Sequence, residues 1–168
     1  MLPRLERRQF GWGGDTTDNI LWRLQHGELD GVNPEVIVLL AGTDLIGSGA
    51  SADEVVAGIE AILAVCRRKA PEATILLTAI FPREDIEGVL PTIQAVNRRL
   101  AESADGDRTI YVDVNPSLTN AQGRLAEGTT TDGLHLALPG YEAWAEQLRP
   151  LLTKRLGPPA ATDSATPA

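Results

Sequence analysis

Two residues with acid–base chemistry stand three positions apart late in the 168-residue chain, in Asp132-Gly133-Leu134-His135. The segment around them is apolar and broken by glycine, and runs on through Leu136-Ala137-Leu138-Pro139-Gly140-Tyr141. In a tight loop this spacing lets the carboxylate accept from the histidine Nδ1–H. The Nε2 edge is then left to take a proton from a nucleophile. The plainer alternative is a surface carboxylate capping the last helix beside an unrelated histidine.

Two other stretches could complete a site. Gly11-Trp12-Gly13-Gly14-Asp15 has three glycines in four residues, which marks a sharp turn with close backbone approach. It is not a phosphate loop, because no Gly-Lys-Ser/Thr follows and the dinucleotide fingerprint spacing is missing. Ala41-Gly42-Thr43-Asp44 is a polar cluster directly after an apolar run. Open α/β sheets place their sites at that end of a strand. The His, Cys and Asp residues show no metal-ligand spacing, so neither metal nor cofactor is expected. Cys66, beside Val65 and near Ile62 and Leu63, reads as inert packing on a helix face.

The elements that would position these residues alternate in type. A strand ending near Phe10 precedes the glycine turn. Asp15 or a following threonine then caps a helix carrying Ile20, Leu21, Leu24 and Trp22. Glu35-Val36-Ile37-Val38-Leu39-Leu40 is a continuous β-branched run and reads as a central strand covered on both faces. Ser51-Ala52-Asp53-Glu54 is a capping box, followed by Val55, Ile59, Ile62, Leu63 and Cys66 at helical spacing and closed by Arg67-Arg68-Lys69. Thr74 to Ile80 is the next buried strand, with Phe81-Pro82-Arg83 at its C-terminal end. Ile93, Val96, Asn97 and Leu100 mark a helix, and Thr109 to Val114 a strand. The last helix begins near Pro139 and turns Trp144, Leu148, Leu151 and Leu152 inward. This order predicts a parallel sheet between helix layers with right-handed crossovers.

The totals fit one domain over residues 1–156 and a disordered tail over 157–168. The formal charge of −8 argues against nucleic acid or an anionic membrane as partner. No apolar run approaches the ~20 residues of a spanning helix. The N-terminus lacks the apolar core of a signal peptide. A cytoplasmic location follows for the chain as given, with a leader on a longer form left open.

Three separated blocks resemble the SGNH (GDSL) hydrolases, and most closely the branch of the platelet-activating-factor acetylhydrolase catalytic subunits. Gly11-Trp12-Gly13-Gly14-Asp15-Thr16-Thr17 looks like the second block, Val38-Leu39-Leu40-Ala41-Gly42-Thr43-Asp44 like the third, and Asp132-Gly133-Leu134-His135 with Gly140-Tyr141 like the fifth. The resemblance covers roughly residues 10–155. It implies an α/β fold of three α/β/α layers around a flavodoxin-like parallel sheet, and ester hydrolysis through a serine. The substrate would be a small ester or an acetylated carbohydrate. Carried over by residue, it makes His135 the general base and Asp132 its orienter. It also places the Gly14 N–H in the oxyanion hole, with position 44 holding that hole's side-chain amide.

The sequence departs from the family in two places. The Gly-Asp-Ser block belongs before the glycine turn, where only ten residues stand and none is serine. No nucleophile is therefore assigned, and the first strand and helix of the fold are expected to be missing. Position 44 is aspartate instead of asparagine, and an ionised carboxylate cannot donate to an oxyanion. Two expectations follow: a truncated serine ester hydrolase with little activity, or a non-catalytic relative serving as a binding or subunit-partner domain. An uncovered strand flank predicts poor solubility or homo-oligomers.

Overall fold

The computed structural model describes residues 7–158. Within them three parallel strands, β1 (Val36–Leu39), β2 (Thr74–Thr78) and β3 (Thr109–Val112), form one sheet in the order β1-β2-β3. The helices are α1 (Thr17–Gln25), α2 (Thr43–Gly47), α3 (Ala52–Lys69), α4 (Leu90–Ser103), α5 (Asn115–Leu118) and α6 (Leu138–Leu156).

The period-2 alternation of the strands divides the interior in two. Ile37, Leu39, Ile75, Leu77 and Tyr111 point to one face, where Leu24 of α1, the apolar stripe of α3, and Ile93, Val96 and Leu100 of α4 cover them. Val36, Leu76, Ile110 and Val112 point to the other face, against Leu118 of α5 and Trp144, Leu148, Leu151 and Leu152 of α6. These are the three expected layers. The first is much thicker: Val55, Val56, Ile59 and Ile62 are at most 1 % exposed, while the α6 side chains are only half-buried. Each fully buried aliphatic side chain contributes about 1.5–3 kcal/mol, so the face that α1, α3 and α4 cover carries most of the stability.

The expected caps form. Ser51 N–H donates to Glu54 Oε2 at 2.8 Å, and Glu54 N–H returns to Ser51 Oγ at 3.3 Å. Thr16, not Asp15, caps α1, its N–H donating to Asn19 Oδ1 at 3.0 Å. Asp15 is instead gripped by Arg23 through bonds of 2.8 and 2.5 Å.

Several expectations need correcting. β1 is an edge strand of the described sheet and not a central one, and Val38 on its second face is 41 % exposed. A continuous apolar run records that neighbours can cover a strand; it does not say that they do. Each strand is also shorter than its apolar run, because Leu40, Ile80 and Val114 already belong to the turns that leave the sheet. The expected strand before the glycine turn lies partly outside the described residues, and residues 7–10 form none. Most of the expected tail, 159–168, also lies outside them. Trp22 does not pack inward: it is 60 % exposed and stacks on His26, ring centroids 4.2 Å apart.

Candidate active site

The C-terminal ends of β1 and β2, the glycine turn and the loop before α6 converge on one cleft of about 220 Å³. Trp12, Gly13 and Gly14 line it from the turn, Leu40, Thr43 and Asp44 from the end of β1, and Phe81 and Pro82 from the end of β2. Leu134, His135 and Leu136 come from the late loop, and Tyr141 and Trp144 from α6. All four residues singled out by sequence either line this cleft or bond directly to a residue that does. A larger cavity of about 390 Å³ lies at the other end of the strands, lined by Asn33, Glu35, Glu72 and Arg155 among others, and holds neither histidine nor hydroxyl nucleophile beyond Thr74.

The late loop is built to hold one side chain. Thr131 N–H donates to the His135 carbonyl at 3.0 Å, and Thr130 bridges Leu136. Between them Gly133 takes a left-handed φ of 81° that tightens the turn. Asp132 Oδ1 then accepts from the N–H groups of Leu134 and His135 at 3.0 and 2.8 Å, while Oδ2 meets His135 Nδ1 at 2.7 Å. The bond to His135, together with the two backbone N–H groups, holds the Asp132 carboxyl down to about 2. The same bond raises the His135 imidazole above its ordinary value, with Asp44 and Asp85 adding to the effect through space. Nδ1 is thereby committed to Asp132, and Nε2 remains for a reacting proton.

Gly14 has φ 81°, and a Cβ there would meet nothing within 4 Å, so its backbone faces open space. At Gly42 the reason for glycine is crowding. Its φ is 107°, and a Cβ would stand 2.8 Å from Val55 and 2.9 Å from Ile80. That close approach turns the chain from β1 directly into α2 and brings Thr43 and Asp44 to the cleft. The end of β2 is fixed by Asn97, whose amide bonds both the N–H and the carbonyl of Ile80 at 2.8 Å. Phe81 then stacks edge-on against Trp144 with centroids 5.2 Å apart, closing the apolar wall.

No serine among the described residues lines the cleft. Ser48 caps back onto the Asp44 carbonyl, Ser51 caps α3, Ser103 bonds Arg99, and Ser117 lies in α5. Among the described residues no group of His, Cys, Asp and Glu could hold a metal ion. No helix among them is long and apolar enough to cross a membrane. Cys66 is buried, which pushes its thiol up to about 11.

Sequence reasoning missed two features. Trp12 is 73 % exposed at the mouth of the cleft, where the glycine turn had been read only for its backbone. Arg83, noted only as part of a turn, is buried beside the site and bonds Asp85 and the Thr43 carbonyl. An arginine two residues before an aspartate, just after an apolar strand, was the available signal.

Comparison with known proteins finds relatives over most of the chain. The model of the GDSL-like Lipase/Acylhydrolase family matches residues 2–143. The platelet-activating factor acetylhydrolase IB subunit alpha1 of Bos taurus is 32% identical over 162 residues, covering 93% of this chain and 67% of that protein. The alpha2 subunit of Rattus norvegicus is 33% identical over 158 residues, covering 93% and 68%. The chain thus spans about two thirds of the length of these relatives. A solved structure from Streptococcus pneumonia carrying a platelet activating factor designation superposes with a TM-score of 0.73 at 32% identity, over 83% of this chain and 69% of that one. A carbohydrate esterase family 3 structure from Talaromyces cellulolyticus shares the fold, with a TM-score of 0.64 at 20% identity over 84% and 68%.

Proposed function

The chain belongs to the GDSL-like lipase/acylhydrolase family, and from that premise we propose that its cleft is the base half of a serine ester-hydrolase site. The observation that carries this is the 2.7 Å contact between Asp132 Oδ2 and His135 Nδ1 at the edge of the cleft. In the reaction a serine oxygen attacks the ester carbonyl and its proton passes to Nε2 of His135. Asp132 holds the ring and stabilises the imidazolium. The Gly14 N–H donates to the developing oxyanion. The alcohol then leaves with the proton from His135, and water, deprotonated by the same nitrogen, releases the acid. No cofactor enters these steps.

A cleft of about 220 Å³ walled by Leu40, Phe81 and Trp144 suits a short acyl chain. The substrate class is therefore a small acyl ester or an acetylated carbohydrate. Turnover by these 168 residues is low, because no serine of the described cleft faces His135 and Asp44 stands where an amide donor belongs. Removing one such donor costs about 2.7–4 kcal/mol of transition-state stabilisation. Asp44 also favours a second reading, a non-catalytic domain that binds a ligand or a partner subunit through the same cleft.

Hydrolysis of p-nitrophenyl acetate by the purified chain and by His135→Ala decides between them. A low rate that falls further in His135→Ala supports the hydrolase reading, and equal, near-background rates support the non-catalytic one. Serine-dependent turnover that disappears in His135→Ala removes the non-catalytic one.

A further inference from the structure

The segment after β2 contains an arginine that the proposed reaction does not use. Arg83 is 6% exposed. Its guanidinium forks onto Asp85, Nε to Oδ1 at 2.7 Å and Nη2 to Oδ2 at 2.5 Å. The remaining nitrogen, Nη1, donates to the Thr43 carbonyl at 2.8 Å, forty residues away. A Cβ on Gly47 would stand 2.7 Å from Nη1, so the glycine in α2 is what lets the guanidinium lie against that helix.

The next residue faces the other way. Glu84 N–H donates to the Gly133 carbonyl at 2.8 Å, inside the loop that carries Asp132 and His135. The Glu84 carboxylate is itself held by Arg124 at 2.9 and 3.0 Å and by Leu125 N–H at 3.0 Å. A Cβ on Gly133 would come within 3.0 Å of Asp85 N, so the two loops are in contact. Residues 83–85 therefore touch both halves of the site. On one side is the turn that carries Asp44, on the other the dyad loop.

We propose that Arg83 is a positioning residue, and that its fork to Asp85 with its bond to Thr43 sets the spacing between Asp44 and His135. The proposal takes from the ester-hydrolase reading only the identity of those two site residues. The bridge itself is independent of turnover. A lysine would keep the charge but not the geometry, since one ammonium group cannot reproduce a planar fork together with a third bond in a different direction.

Amide hydrogen exchange and histidine ring NMR on the whole chain test this. Three amides are informative: Ile46, bonded to the Gly42 carbonyl inside the α2 turn; Glu84, bonded to Gly133; and Ile75, bonded to the Arg108 carbonyl in the central strand. In Arg83→Lys we expect Ile46 and Glu84 to exchange at least tenfold faster together while Ile75 keeps its rate. The His135 ring resonances should move while those of His26, the other histidine, stay in place. Asp85→Asn, which leaves Arg83 its charge and its bond to Thr43, should accelerate Glu84 in the same way and decides the matter if Arg83→Lys does not fold. Unchanged Ile46 and Glu84 rates in a folded variant would overturn the proposal. Acceleration only in step with Ile75 would also overturn it, since that is a loss of global stability and not of spacing.

Discussion

Asp132 holds His135 from two directions at once: one carboxylate oxygen meets the ring Nδ1 at 2.7 Å, and the other accepts the His135 backbone N–H at 2.8 Å. The ring is therefore fixed relative to its own main chain. That is what a general base requires and what a freely rotating surface histidine lacks. The plainer reading of the pair, a helix cap beside an unrelated histidine, does not fit. Ala137, not Asp132, is the N-cap of α6.

The pair has a definite pH window. The folded His135 imidazole is raised above its ordinary value of about 6.5, so its contribution to stability is complete below that value and is lost as pH rises through the folded one. Asp132 is held down to about 2, so its contribution is present above the ordinary ~3.9 and is lost as pH falls toward 2. An NMR titration of the His135 ring should show a midpoint above about 6.5 that falls in Asp132→Asn. A wild-type midpoint at or below the ordinary value would contradict the contact.

Asp44 should behave as a repulsive group in the cleft. A unit charge about 4 Å from another costs on the order of 1 kcal/mol in a water-like medium. Asp44→Asn should therefore tighten acetate, the product anion, by roughly fivefold, read from chemical-shift titration. It should also lower the His135 midpoint, because Asp44 is one of the charges raising it. Unchanged acetate affinity would show that Asp44 does not face the bound anion.

Gly42 is needed for shape. Gly42→Ala puts a methyl 2.8 Å from Val55 and 2.9 Å from Ile80 at φ 107°. The strain and overpacking should cost about 1–3 kcal/mol, measured as a lower urea midpoint with an unchanged slope. A loss below a few tenths would mean that the turn between β1 and α2 relaxes freely.

The open flank of β1 should make the chain self-associate. Val38 is 41 % exposed on an edge strand, and unpaired strand edges recruit other strands. Light scattering should show concentration-dependent association that Val38→Lys suppresses. A wild-type monomer at high concentration would count against this.

The fold was legible wherever one local pattern sufficed. The stripe of α3 and its Ser51–Glu54 cap, the apolar runs of the three strands, and the Asp132–His135 spacing each need only neighbouring residues. What was not legible depends on distant partners. Nothing within Glu35–Leu40 reports whether a strand lies on each side of it, so β1 read as central. The site resolved in the same way. Glycines with positive φ marked Gly14 and the dyad loop, but the Arg83 bond to Thr43 joins residues forty apart. Trp22 read as part of the apolar side of its helix because it follows Ile20 and Leu21. Its exposure follows from the tertiary surface around it.

The central claim is that His135 is a poised base with no serine partner among the described residues. Intact-protein mass spectrometry after treatment with a fluorophosphonate, which labels activated serines, tests it most directly. The predicted result is an unmodified 168-residue chain, identical to that of His135→Ala. A stoichiometric adduct on a serine, absent from His135→Ala, would contradict the claim.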